Sequence, residues 1–237
     1  MKVIVGMTSW KKRISTASLT LKSILEQTVR ADSIELNLDY ENFPNGRNDL
    51  PNDIVALEKK YDNFHIFFED KDYRVWLKSV PSVRRHSGEE YVLFTLDDDC
   101  TYYPNYIEES LKMLDTYASC DAMNTSSNGI AGEYMVYRSR FLEKCLPYLT
   151  NEFISKVRVD DCCWFWFFRK FKVVQAPRVD KDICKDRMQG FSYRRVFNSS
   201  LPNNVKSESE WTKMDGEYPM GVLQEEMHII QHHIGVK

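Results

Sequence analysis

Over its first hundred residues the chain repeats one pattern four times: a short apolar run ending in polar or acidic residues, then a stretch with helical spacing. The apolar runs are residues 3–9, 34–39, 65–68 and 91–96. Their length and their β-branched and aromatic content are those of buried strands. After the first run, Ile14, Ala17, Leu21, Ile24 and Leu25 follow at intervals of 3, 4, 3 and 1. That is one face of a helix, with Ser15 or Thr16 to cap it. A loop rich in Asn, Pro and Gly spans 42–52, and Asp53 caps a helix that reaches Lys60. Residues 77–85 read as helix, and Pro104 opens another to about Tyr117. Strand–helix alternation of this kind predicts a mostly parallel, doubly wound α/β sheet. Such sheets bind ligands at the carboxyl ends of their strands. Thr8, Ser9, Trp10, Asp39, Asp70 and the triplet Asp97, Asp98 and Asp99 all fall at such ends.

The second half is less regular. Residues 121–124 and 133–137 read as strands, and 227–233 as a last helix. Asp160 and Asp161 precede an aromatic block at 162–168 that reads as a buried helix. Beyond this strand–helix alternation the sequence holds no internal repeat, and no linker divides the chain. Its 237 residues, 43% hydrophobic and 28% charged, suffice for one sizeable core. A formal net charge of -3 argues against a general nucleic-acid binder. The longest apolar run, 162–168, falls far short of the ~20 residues a bilayer requires. The N-terminus lacks the apolar stretch and cleavage site of an export signal, so the expected location is the cytoplasm. Six cysteines form neither a CxxC pair nor a zinc-ligand spacing, which points to reduced thiols.

Three adjacent carboxylates after an apolar strand repel one another, and a divalent cation relieves that repulsion. In an extended chain Asp97 and Asp99 share a face while Asp98 points away. Hard oxygen ligands suit Mn²⁺ or Mg²⁺, and such an ion can bridge both phosphates of a nucleotide-sugar. The plainer reading is an acidic loop that caps the next helix. Residues 94–104, Phe-Thr-Leu-Asp-Asp-Asp-Cys-Thr-Tyr-Tyr-Pro, resemble the DxD segment of GT-A-fold glycosyltransferases. Residues 7–14, followed by 20–28, are similar to small bacterial and viral members that resemble glycosyltransferase family 2. The likeness covers about residues 1–170. It implies a single GT-A domain with a nucleotide-sugar-binding half at 1–103, an acceptor-binding half at 104–195 and a polar C-terminal tail at 196–237.

The resemblance also implies roles. Thr8, Ser9 and Trp10, with Arg13 beside them, would line the nucleotide-sugar pocket. Asp39 would approach the base and Lys78 the nucleotide. Asp97 and Asp98 would face the ribose and the metal's water shell, and Asp99, together with Asp97, would bind the metal. Singly, these positions also read as loop caps, turn residues or solvated helix positions. Asp160 and Asp161 resemble the acidic pair that supplies the base of inverting members, with Asp161 first and Asp160 second. Their alternative is a helix N-terminus, which favours acids. The implied donor is a UDP-sugar, or a GDP- or dTDP-sugar; the acceptor is a glycan, lipid-linked or protein-linked hydroxyl.

Between 169 and 195 nine Lys and Arg stand against three Asp. Arg178, Lys181, Lys185, Arg194 and Arg195 are candidates to cover a departing diphosphate, or form a solvated face. The QxxRW motif usual in family 2 is not visible; the nearest basic-aromatic run is 190–195. His228 and His232 share a helix face, and His232 is a candidate metal ligand by the same resemblance. Trp211 is a candidate for the acceptor side, whereas Trp164 and Trp166 read as core. Three rival functions remain. A haloacid-dehalogenase-like phosphatase would use Asp97 and Asp99 in a DxDxT motif, which normally follows the first strand rather than the fourth. A nucleotidyltransferase would need a Gly-rich loop, and residues 7–13 contain no glycine. A non-catalytic nucleotide-sugar-binding protein would use the same scaffold without turnover.

Overall fold

The computed structural model describes residues 1–98, 100–124, 135–158, 160–173, 193–195 and 220–235. Six strands form the central sheet: β1 (Lys2–Met7), β2 (Ser33–Asp39), β3 (Phe64–Glu69), β4 (Tyr91–Leu96), β6 (Ala122–Asn124) and β7 (Met135–Arg138). Their order is β3-β2-β1-β4-β7-β6. The first four run parallel, while β7 is antiparallel to β4 and β6 to β7. The chain steps outward from β1 to β3 and then returns to lay β4 against the other side of β1. The carboxyl ends of β1 and β4 therefore flank a topological switch point.

Alternation along the strands sends side chains to two cores. Val3, Val5, Met7, Phe94 and Leu96 pack with α1 (Ile14–Leu25), α2 (Asn52–Lys60) and α4 (Tyr106–Thr116). On the opposite face Ile4, Tyr91, Leu93 and Tyr137 pack with α3 (Val80–Arg85), α5 (Ser139–Cys145), α6 (Asn151–Lys156) and α7 (Asp160–Lys170). A last helix, α8 (Met220–Ile234), adds Ile230 and Ile234 to this second core. It runs alongside α7 in the same direction. Glu226 accepts a hydrogen bond from the Arg158 amide at 3.0 Å, just before α7. At the far end Lys170 donates to the carbonyl of Ile234.

Local details depart from the sequence pattern for identifiable reasons. The first strand ends at Met7, because Trp10 turns its carbonyl toward the amides of Arg13 and Ile14 and starts α1 there. Arg13, not Ser15 or Thr16, stands at the N-cap, and Thr16 instead donates back to the Arg13 carbonyl at 2.9 Å. The single helix expected over 77–85 is a 3-10 turn, Arg74–Lys78, followed by α3, with Pro81 in the first turn of the latter. Asn105, rather than Pro104, precedes α4, and α8 begins seven residues before the 227–233 pattern. Cys120, Cys145 and Cys163 are buried free thiols, and burial pushes the pKa of each upward. Among the described residues no helix is long and apolar enough to cross a membrane.

Candidate active site

Strand alternation persists for two residues past β4, and it separates the first two acids of the triplet. Phe94 and Leu96 face the core of α1, and Asp98 follows them to that side. It is buried, and both oxygens are engaged. Arg13 Nη2 meets Oδ1 at 2.7 Å, and Ser9 donates to Oδ2 at 2.5 Å. Thr20 on α1 donates to the Asp98 carbonyl at 2.9 Å. Asp98 thus ties the loop after β1 and the first turns of α1 to the end of β4. From the resemblance Asp98 is expected to face the ribose and the metal's water shell; strand parity turns its carboxylate inward instead, where the Arg13 counter-charge makes its burial tolerable.

Asp97 shares the parity of Tyr91 and Leu93 and lies on the opposite side, 29% exposed. There Lys78 Nζ stands 3.5 Å from Asp97 Oδ1 and 3.4 Å from Asp160 Oδ2. The Lys78 and Asp160 side chains are only 7% and 4% exposed. Asp160 Oδ2 has no hydrogen-bond partner among the described residues, so charge rather than a directed bond holds it. The placement of Lys78 comes from its backbone. A Cβ on Gly6 in β1 would collide with the Lys78 carbonyl, so only glycine lets the 74–78 turn lie this close to the sheet. Two residues earlier Trp76, fully buried, donates its indole N–H to the Val157 carbonyl at 2.7 Å. One turn therefore meets both β1 and the segment that leads into α7. At its start Arg74 takes φ 53, and its amide is held by Asp72 Oδ1 at 2.6 Å.

Other candidates stand around this corner. Asp39 is buried at the end of β2. It accepts from the Asn42 amide at 2.7 Å and from the Asn42 side chain, which also reaches Asp72. Burial lifts the Asp39 carboxyl above its usual range, against the hydrogen bonds from Asn42, and neighbouring Asp72 and Glu41 add to the rise. The Trp10 indole N–H is buried without a hydrogen-bond partner among the described residues, and Lys12 Nζ lies 5.4 Å from the ring centre. Thr8 is half-buried in the same loop. Asp99 and the side chain of Asp161, second residue of α7, lie outside the described residues, as do Arg178, Lys181, Lys185 and Trp211. Backbone pairing of β5 (Cys100–Tyr102) with β8 (Tyr193–Arg195) sets Arg195 opposite Cys100 and Arg194 opposite Thr101. The basic stretch thus returns to the strand that follows the triplet.

His232 is not brought to the acids. It is exposed near the Ile234 end of α8, which meets Lys170, and Asp160 stands ten residues back along α7. Ten residues of helix span about 15 Å. The adjacent His233 stacks on Phe153, ring centres 4.1 Å apart, with Nε2 2.8 Å from the Tyr148 carbonyl. His228 is exposed. Trp164 and Trp166 are buried in the second core. The sequence pattern passed over Gly6, Trp76 and Glu226; a glycine interrupting an apolar run was the one visible signal.

A divalent ion that binds with phosphates needs only one or two protein carboxylates. Asp97, a partly exposed hard-oxygen donor, beside a buried carboxylate oxygen that lacks a hydrogen bond, fits that chemistry. Among the described residues no three His, Cys, Asp or Glu gather closely enough to hold a metal without such help.

No family model matches the chain, and no curated protein matches it in sequence. Solved structures do. The mannosyltransferase PcManGT from Pyrobaculum calidifontis, in complex with GDP-Man and Mn2+, aligns over 98% of this chain and 69% of its own, with a TM-score of 0.54 and 14% identity. A 1-349 fragment of S. aureus TarS aligns over 61% of this chain, with a TM-score of 0.44 and 14% identity. The match spans about half (49%) of that fragment. Francisella tularensis 2-C-methyl-D-erythritol 4-phosphate cytidylyltransferase aligns over 80% of this chain and 99% of its own, with a TM-score of 0.47 and 10% identity. The strand order, the switch point between β1 and β4 and the alignment of 98% of the chain with PcManGT together identify the fold: a GT-A-type α/β domain with a mostly parallel central sheet and flanking helices.

Proposed function

We propose that this chain is a metal-dependent glycosyltransferase that moves a sugar from a nucleotide-diphosphate donor to an acceptor hydroxyl. One observation carries the reading. Asp97, at the carboxyl end of β4, and Asp160, at the start of α7, are drawn to a single lysine at the switch point of a GT-A-type sheet. Asp97 and Asp99 would hold a Mn²⁺ or Mg²⁺ ion jointly with the diphosphate, and that ion supplies positive charge for the leaving group. Thr8, Trp10 and Asp39 border the space for the nucleoside. Trp10 brings an N–H in need of an acceptor, and Asp39 brings a carboxylate at the strand end. Ser9, Arg13 and Asp98 shape the loop from within. On the acceptor side, Asp161 takes the proton of the attacking hydroxyl, with Asp160 beside it, which implies inversion. In this reading residues 1–103 bind the donor and 104–195 the acceptor. A UDP-sugar is favoured; the GDP-Man and Mn2+ held by PcManGT keep GDP-sugars in view.

The test is a thermal-shift screen with UDP-, GDP- and dTDP-sugars, with and without Mn²⁺. One donor class should raise the melting temperature only when metal is present, and Asp97→Asn should remove that rise. A rise that survives Asp97→Asn, or that ignores metal, would refute the site. Turnover of the responding donor separates the enzyme from a binding protein. A trapped aspartyl phosphate in the absence of donor binding would favour the phosphatase instead.

A further inference from the structure

We propose that Lys78 is the resident counter-ion of this corner: its ammonium holds Asp97 and Asp160 together in the ion-free protein and competes with a divalent cation for Asp97. The inference rests on the reading of Asp97 as part of the donor site. Both carboxylate contacts, at 3.5 and 3.4 Å, exceed the roughly 2.7–2.9 Å of a committed charge-assisted hydrogen bond. The ammonium thus stands within ion-pair reach of both acids. Its main chain, by contrast, is pinned, with the carbonyl against Gly6 and Trp76 bonded to Val157. A fixed backbone with a long, flexible stem allows the charge to move while the turn stays in place.

The electrostatics then set an order of events. In the ion-free state Lys78 offsets charge on two carboxylates, one of them almost wholly buried. A divalent ion at Asp97 repels the ammonium twice as strongly as one carboxylate at equal distance attracts it. Lys78 yields Asp97 to the ion and keeps Asp160, which holds the start of α7 beside the donor corner. Lys78 therefore stabilises the ion-free protein and weakens ion binding at the same time. A purely structural lysine would do only the first.

Metal-free melting temperature and Mn²⁺ affinity by calorimetry, each with and without UDP, should be measured for wild type, Lys78→Met, Asp160→Asn and the double variant. Lys78→Met should melt below wild type without metal, bind Mn²⁺ about tenfold more tightly, and regain part of its lost melting temperature when the ion is added. The double variant should melt above Lys78→Met, because the uncompensated acid is gone, and bind Mn²⁺ more tightly than Asp160→Asn. If Lys78→Met does not fold, that last comparison decides alone. Equal or weaker Mn²⁺ binding after loss of Lys78, in a protein whose wild type binds the ion, overturns the counter-ion role and leaves the donor-site reading standing. A wild type that binds no Mn²⁺, with or without UDP, overturns both.

Discussion

Asp98 shows most directly how single residues build this corner. Its burial is tolerable only because Arg13 neutralises it and Ser9 fills its second oxygen. Removing Arg13 strands a buried charge, and breaking such a pair costs about 3–5 kcal/mol. Arg13→Ala should therefore lower the urea midpoint steeply, while Ser9→Ala, which removes one neutral donor, should cost about 1–2 kcal/mol. An Arg13→Ala midpoint equal to wild type would mean that the pair does not hold the β1 loop. The acidic cluster was visible in the sequence because three consecutive aspartates after an apolar run are conspicuous. Their separation to opposite sides was visible too, in the parity that Asp98 shares with Phe94 and Leu96. What each acid would meet was not visible. Ser9 and Asp98 are 89 residues apart, and no local pattern encodes a contact at that distance.

At the scale of elements, the 74–78 turn depends on β1 for its approach and on β2 and α3 for its seat. Gly6→Ala should force the turn off the sheet and cost at least the ~1–3 kcal/mol of ordinary overpacking. It should also enlarge any Mn²⁺-dependent thermal shift, because Lys78 moves away with its carbonyl and competes less for Asp97. A variant that melts lower yet shows only the wild-type shift, or a smaller one, would break the link between this glycine and the site. Next to the turn, α3 is fastened to β2 through Glu35. Arg85 binds its Oε2 at 2.7 and 3.2 Å, and His86 Nε2 lies 2.8 Å from Oε1. Burial pushes the Glu35 carboxyl up, but the charge of Arg85 and the hydrogen bonds from Ser82, Arg85 and His86 outweigh it and hold the pKa below its ordinary 4.5. A carboxyl depressed by folding adds stability that is complete above that ordinary value and is lost as pH falls through the lower folded one. Melting temperature should thus drop on acidification below about pH 4.5, and Glu35→Gln should flatten that part of the curve while lowering stability at neutral pH. An acid limb that keeps its slope in Glu35→Gln would assign the loss elsewhere.

In the whole molecule, two cores on either side of one sheet set the distances between parts of the site. The second core draws its residues from 4 to 234, almost end to end. Ile230, fully buried on α8, tests whether the last helix belongs to it. Ile230→Ala should cost about 2–5 kcal/mol by chemical denaturation, and a loss near zero would show α8 to be only loosely attached. Order and type of the main elements followed from the sequence alone, because strand and helix periodicity are local: four apolar runs, the helices between them, and an acidic triplet at the end of the fourth strand. Element ends were less legible, since Trp10, Pro81 and Asn105 set them through one or two local hydrogen bonds or a ring constraint. Only tertiary structure decided that Lys78 would face both Asp97 and Asp160, that Asp98 would turn to Arg13, and that α8 would run along α7 with His232 at the far end. Those outcomes depend on which distant segments share a face of the sheet, and that is settled by the packing of two cores at once rather than by any spacing within a single stretch of chain.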